Sequence, residues 1–100
     1  HVEVSQMLIG AGASVHAASS AGETPLHASA SKGHVAVSQM LLDVGANVNA
    51  VNHYDGLTPL HGSAINGHME VSRILLEAGA NINAADSQGQ TPLLKSAIQG

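Results

Sequence analysis

Apolar residues along this chain come in short bursts at helical spacing. Val37, Met40, Leu41 and Val44 stand at i, i+3, i+4 and i+7, one face of a helix. The burst predicts a helix over about 35–43, with counterparts over about 69–77 and 2–9. A second kind of helix is predicted after each Thr-Pro step. Thr24, Thr58 and Thr91 sit where a hydroxyl can accept an orphan N–H of the first turn. Pro25, Pro59 and Pro92 follow at the first helical position, where a missing N–H does no harm. These helices should run to about Lys32, Asn66 and Gln99, and Gly33, Gly67 and Gly100 should stop them. Gly12, Gly45 and Gly79 are placed to end the other helices in left-handed backbone. Residues 46–50 and 80–84 then read as extended turns leading to a tip, where Gly22, Gly56 and Gly89 let the chain double back.

The pattern repeats. His1-Val2-Glu3-Val4-Ser5-Gln6-Met7-Leu8 returns as His34-Val35-Ala36-Val37-Ser38-Gln39-Met40-Leu41 and again as His68-Met69-Glu70-Val71-Ser72-Arg73-Ile74-Leu75, at offsets of 33 and 34. Residues 1–17 and 34–50 agree at 11 of 17 positions. Gly22-Glu23-Thr24-Pro25-Leu26-His27 returns as Gly56-Leu57-Thr58-Pro59-Leu60-His61 and as Gly89-Gln90-Thr91-Pro92-Leu93-Leu94. The middle unit carries one extra residue between Ala50 and Gly56, around Asn52 and His53, where a loop tip absorbs it most easily.

Helix, tight turn, helix and projecting hairpin on a 33-residue step with Thr-Pro-Leu-His resembles the ankyrin repeat family, and the resemblance covers the whole chain. It implies an all-α solenoid of stacked helix-turn-helix units with β-hairpin-like tips. By that alignment residues 19–51 and 52–85 are complete repeats, 1–18 the second half of a preceding one and 86–100 the first half of a following one. The chain opens on His1 and carries no polar capping repeat, which predicts a longer parent protein.

A single helix pair cannot bury its apolar face, so neighbours must share one core. The inward positions should be Leu26, Ala30, Val37, Leu41 and Leu42, then Leu60, Ala64, Val71, Leu75 and Leu76. Ser29, Ser63 and Ser96 stand where the family usually has Ala, and Ser5, Ser38 and Ser72 where it usually has Val. All six should be buried, each hydroxyl bonded to the carbonyl one turn back.

Composition narrows the function. Three Lys and Arg against seven Asp and Glu give a net charge of −4, which argues against a nucleic-acid partner and a polybasic membrane anchor. No apolar run approaches a membrane span. Absence of Cys removes disulfide, thiolate-metal and Cys-nucleophile chemistry, and fits a cytoplasmic or nuclear setting. With one Tyr, no Phe and no Trp, the core must be aliphatic.

Seven His invite a metal hypothesis, and their register deflates it. His27 and His61 share one position of the repeat; His1, His34 and His68 share another. Such rings serve local structure, bonding backbone and tying hairpin to helix, and no four-ligand cluster is completed. Gly10-Ala11-Gly12 begins like a dinucleotide fingerprint, yet Val15 stands where the third glycine belongs. His1-x-Glu3 and His68-x-Glu70 match half of a zinc deaminase signature whose other half needs Cys. No Ser stands out as a triad nucleophile, since most recur in register. No catalysis, cofactor or small-molecule substrate is expected.

The resemblance implies binding of a partner protein or peptide through the hairpin tips and the concave first-helix face. Mapped onto this sequence, that face comprises Ser20, Glu23, Ser31, Lys32 and Val51; then Tyr54, Asp55, Leu57, Ile65 and Asn66; then Ser87, Gln88, Gln90, Ile98 and Gln99. Tyr54, Leu57, Ile65 and Ile98 are expected to form an apolar strip at solvated positions. A uniformly polar face would instead suit a structural spacer, or a substrate-recruiting adaptor arm whose active part lies elsewhere in the parent. Asn49 and Asn83 also stand in the context in which ankyrin-repeat asparagines are hydroxylated; the structural alternative is closure of the hairpin turn.

Overall fold

The computed structural model describes residues 2–99. Six helices follow in order: α1 (Val2–Gly10), α2 (Pro25–Lys32), α3 (Val35–Asp43), α4 (Pro59–Ile65), α5 (Met69–Glu77) and α6 (Pro92–Gln99). They form two layers. In one, α4 packs between α2 and α6; in the other, α3 packs between α1 and α5. Helices α2 and α3 form one antiparallel-type hairpin unit, α4 and α5 the next. The stack measures 39 × 27 × 21 Å, elongated as a row of nearest-neighbour units should be.

Local chemistry starts the first-layer helices. Thr24 Oγ1 accepts the His27 N–H at 3.3 Å, while the Thr24 N–H donates to His27 Nδ1 at 3.2 Å. Thr58 and His61 repeat the box at 3.4 and 3.1 Å. It is a capping box with an imidazole in place of the usual carboxylate or amide. In the third unit Leu94 replaces the His, so only the hydroxyl half survives, Leu94 N–H to Thr91 Oγ1 at 3.2 Å. Gly33 closes α2 at φ +73°. Gly12, Gly45 and Gly79 take φ of +97°, +93° and +96° one position beyond the helix caps. Gly100 lies outside the described residues.

The core consists of Leu26, Ala30, Leu41, Leu60, Val71 and Leu75, all of them expected inward. Val37 and Leu42 are half-buried against it. Three expectations need correction. Leu76 is 42% exposed and Ala64 half-buried, because within these residues no second helix stacks beyond α5 and α6. Ser5, Ser72 and Ser96 are half-buried rather than buried, whereas Ser29, Ser38 and Ser63 are fully enclosed. Val44 leaves the helix as the α3 cap and is exposed.

Three of the six serine hydroxyls bond backwards: Ser29 to the Leu26 carbonyl at 3.4 Å, Ser63 to Leu60 at 3.2 Å and Ser72 to His68 at 2.8 Å; Ser38 and Ser96 do not. They also pair across each hairpin unit, Ser29 with Ser38 and Ser63 with Ser72, both at 2.8 Å.

Candidate functional site

The tips are built of turns; no β-strand is present among the described residues. Each tip is organised by one residue in the same column of the repeat: Ser19, Asn52 and Asp86. Backbone bonds close them, Ser19 N–H to Glu23 O, Asn52 N–H to Leu57 O and Asp86 N–H to Gln90 O, at 3.0, 2.9 and 2.9 Å. The side chain then gathers the turn. Asp86 Oδ1 accepts from the Gln88 and Gln90 N–H groups, each at 2.9 Å. Asn52 Oδ1 accepts from Asp55 at 3.1 Å and Leu57 at 3.0 Å. Sequence reasoning passed over this column. Its signal was available: Ser, Asn and Asp are the side chains that bond their own backbone in turns.

The tips are also joined to one another. His53 N–H donates to the Ala21 carbonyl at 2.7 Å, and Ser87 N–H to the Asp55 carbonyl at 2.9 Å. The pairing fixes the alignment of the three loops. His53 corresponds to Ser87 and Asp55 to Ala21, with Asn52 and Gly56 held in column on either side. Tyr54 is therefore the surplus residue of the middle tip. Its side chain is 77% exposed.

The buried imidazoles hold the units together. His27 Nε2 meets the Leu57 carbonyl at 2.8 Å and His61 Nε2 meets the Gln90 carbonyl at 2.9 Å. Because Nδ1 of each ring faces a backbone N–H, which can only donate, Nε2 must carry the proton and donate to the next unit. The rings of His53 and His68 lie on Gly22 and Gly33. A Cβ on Gly33 would stand 2.5 Å from His68 Nδ1. Among the described residues no three His, Asp or Glu side chains converge on a cation-sized space.

Asp86 is the most embedded carboxylate. The Gln90 N–H foremost, then the Gln88 N–H and the Lys95 ammonium at 3.4 Å, hold its carboxyl below the usual range, against the opposing effect of burial. Glu70 is likewise lowered, by the hydrogen bond and charge of Arg73, but this pair is exposed on α5.

The expected contact residues divide into two groups. Ser20, Lys32, Val51, Tyr54, Asp55, Ser87, Gln88, Ile98 and Gln99 are exposed. Others turn their polar groups into the scaffold. Glu23 Oε1 accepts from Asn52 Nδ2 at 3.0 Å. Asn66 Nδ2 donates to the Ser31 carbonyl at 2.9 Å and to Gly62 at 3.0 Å, clasping α4 to α2. Leu57 and Gln90 are half-buried and supply the carbonyls that the two imidazoles use. Ser31 and Ile65 are half-buried as well. With Leu57 and Ile65 partly enclosed, the strongly exposed apolar members of the strip are Tyr54 at a tip and Ile98 in the last turn of α6. Asn49 and Asn83 are both exposed. Asn49 Oδ1 accepts the Asn81 N–H at 2.8 Å, linking successive units.

The fold and its tips define an α-solenoid that presents an extended face. A family model described as ankyrin repeats in three copies matches residues 1–86 and 40–100, and the chain belongs to that family. Ankyrin repeats are generally protein–protein interaction modules. No curated protein matches the chain. Among the described residues no helix is long and apolar enough to cross a membrane.

Proposed function

We propose that this array binds a partner protein or peptide across its tips, with Tyr54 as the central contact and without catalysis of its own. Residues 19–51 and 52–85 serve as its two complete repeats. The observation that carries the reading is the surplus position of Tyr54. The one aromatic side chain of the sequence belongs to the residue left over when the tips are aligned by the bonds between them, and it stands in solvent. Tyr is enriched among binding hot spots because it offers a large amphipathic surface at small entropic cost. Asp55 on the same tip, and Ser20, Ser87 and Gln88 on the neighbouring tips, supply a polar rim. Ile98, Lys32 and Gln99 extend the face along the ends of the first-layer helices. The partner is a polypeptide, with nucleic acid disfavoured by the charge of −4, and the setting is cytoplasmic or nuclear.

For Asn49 the turn-closing role is the better reading, since its side chain already bridges two units; Asn83 is the same position of the following repeat, and hydroxylation there is the alternative.

A photo-crosslinking side chain placed at Tyr54, compared with one at exposed Gln39 on α3, tests the proposal in cell extract. Specific adducts at position 54 that are absent at position 39 are expected. Equal labelling at both positions favours a spacer or adaptor arm over a recognition module.

A further inference from the structure

The middle tip has a tip on either side of it, and one backbone amide sets it apart from both. In the first tip the Gly22 N–H donates to the Ser19 carbonyl at 2.8 Å, and in the third the Gly89 N–H donates to the Asp86 carbonyl at 2.9 Å. Gly56 is the glycine of the same column. Its N–H has no acceptor among the described residues. Tyr54 lengthens the path from Asn52 to Gly56 by one residue, and the corresponding bond to the Asn52 carbonyl is not made. Asn52 Oδ1 gathers the tip instead, and it takes the Asp55 and Leu57 N–H groups on either side of the Gly56 N–H.

The residue before that amide is Asp55. It is exposed, and its carboxyl makes no hydrogen bond or ion pair among the described residues. Asp55-Gly56 thus sets an unengaged carboxyl beside an unengaged amide nitrogen. A backbone nitrogen that attacks the side chain before it closes a cyclic imide, and glycine leaves that approach open because it has no side chain. A second pair of this kind, Asn66-Gly67, is closed off by the fold. The Gly67 N–H is tied to the Ala64 carbonyl at 3.2 Å. Asn66 Nδ2 is held by the Ser31 and Gly62 carbonyls at 2.9 and 3.0 Å. In an unstructured chain the carboxamide is the more reactive of the two side chains, so the sequence by itself selects Asn66 and the structure selects Asp55.

We propose that Asp55 is a site of isoaspartate formation in the folded protein, opened by the Gly56 amide that the surplus Tyr54 leaves unbonded. The Gly56 nitrogen attacks Asp55 Cγ. The new N–Cγ bond forms, the Cγ–OH bond breaks, and the hydroxyl leaves as water with the amide proton. Water then adds to the main-chain carbonyl of the imide and breaks its bond to the Gly56 nitrogen. The chain now runs through Cβ and Cγ, and the former carbonyl is a carboxylate on Cα. One water is lost and one is regained, so the step needs no oxidant and no cofactor. The carbonyl that is converted is the one that accepts the Ser87 N–H at 2.9 Å. The product lengthens the middle tip and replaces its neutral link to the third tip with a charged one.

Peptide mapping of the folded chain after prolonged warm incubation at neutral pH tests the proposal. Isoaspartate is read as a retention shift at unchanged mass, with loss of cleavage by a protease that cuts before aspartate. Wild type should convert at Asp55 ahead of Asn66, and in denaturant the order should reverse. Asp55→Glu keeps the charge but cannot close the same ring, and should lose the signal. Deletion of Tyr54, with circular dichroism to verify that the variant is folded, should slow conversion at Asp55 several-fold, because the Gly56 N–H regains its acceptor. A folded wild-type chain in which Asp55 stays unconverted, or in which Asn66 reacts first, overturns the proposal. So does a lead for Asp55 in denaturant as well, or an undiminished rate in the folded deletion variant.

Discussion

Ser29 Oγ and Ser38 Oγ lie 2.8 Å apart in the interior of the first helical pair, and Ser63 and Ser72 reproduce the contact in the second at 2.8 Å. Each pair puts two hydroxyls where two aliphatic side chains would otherwise meet. A buried hydroxyl is tolerated only when bonded. In Ser38 the only bond is the one to Ser29, so the two positions depend on each other.

Ser29→Ala should therefore cost about 1–3 kcal/mol, because it strands the Ser38 hydroxyl. Ser29→Ala combined with Ser38→Val should recover most of that loss, since both partners become apolar. Chemical denaturation of the two singles and the double gives the coupling directly. Additive losses would show that the pair does not act as a unit.

Leu41→Ala and Leu75→Ala should each cost about 2–5 kcal/mol, the range for cavities in a packed core. Leu76→Ala should cost much less in the monomer, since that side chain is 42% exposed. Unfolding midpoints of the three variants check the order; an equal loss at Leu76 would mean that it is enclosed in solution.

His61→Leu places in the middle unit the residue that Leu94 supplies in the last. The variant loses the bond to the Gln90 carbonyl and half of the α4 capping box. A loss of about 1–3 kcal/mol is expected. Amide exchange should quicken in α6, which that bond holds to α4, more than in α3. Uniform quickening would mean that His61 supports only its own unit.

Asp86 makes stability depend on pH. Its folded carboxyl titrates below the usual value, so its contribution is complete above the unfolded value of about 3.9 and is lost as pH falls through that region toward the folded one. Melting temperatures should fall between about pH 5 and pH 3. Asp86→Asn keeps an acceptor for the Gln88 and Gln90 N–H groups but cannot titrate, and should flatten that slope. An unchanged slope would assign the acid sensitivity to other carboxylates.

Tyr54→Ala should weaken capture of the crosslinked partner by more than about 1 kcal/mol. Its unfolding midpoint should stay within about 0.5 kcal/mol of wild type, as for a surface change. Deletion of Tyr54 should be tolerated as well, because it restores the loop length of the flanking tips. A large loss of stability on deletion would show that the residue is part of the frame.

Much of the fold was legible because its signals are short-range. A Thr-Pro step sets a helix start within one turn, and a glycine beyond the last turn sets its end, so the helix positions agree to within a residue or two. Of the periodic stripe Val37, Met40, Leu41 and Val44 only Leu41 lies in the core, and the other core residues were named by their place in the repeat. Leu76 escaped because burial depends on what lies beside it, and no described helix packs over it. The binding face was legible by register, but not the distinction between side chains that face solvent and those that clasp the next unit. Glu23 and Asn66 look like surface polar residues in the sequence; their partners lie 29 and 35 residues away.

The repeat period, the caps and the aliphatic ridge were determined by the sequence alone, since each rests on residues within a few positions of one another or on one offset repeated. Tertiary structure decided the rest: that Ser29 meets Ser38, that each imidazole donates to the following unit, and that Tyr54 is the residue left over. Those outcomes are distances between segments some ten to thirty-five residues apart. They are set only when the units stack and every buried donor must find its acceptor.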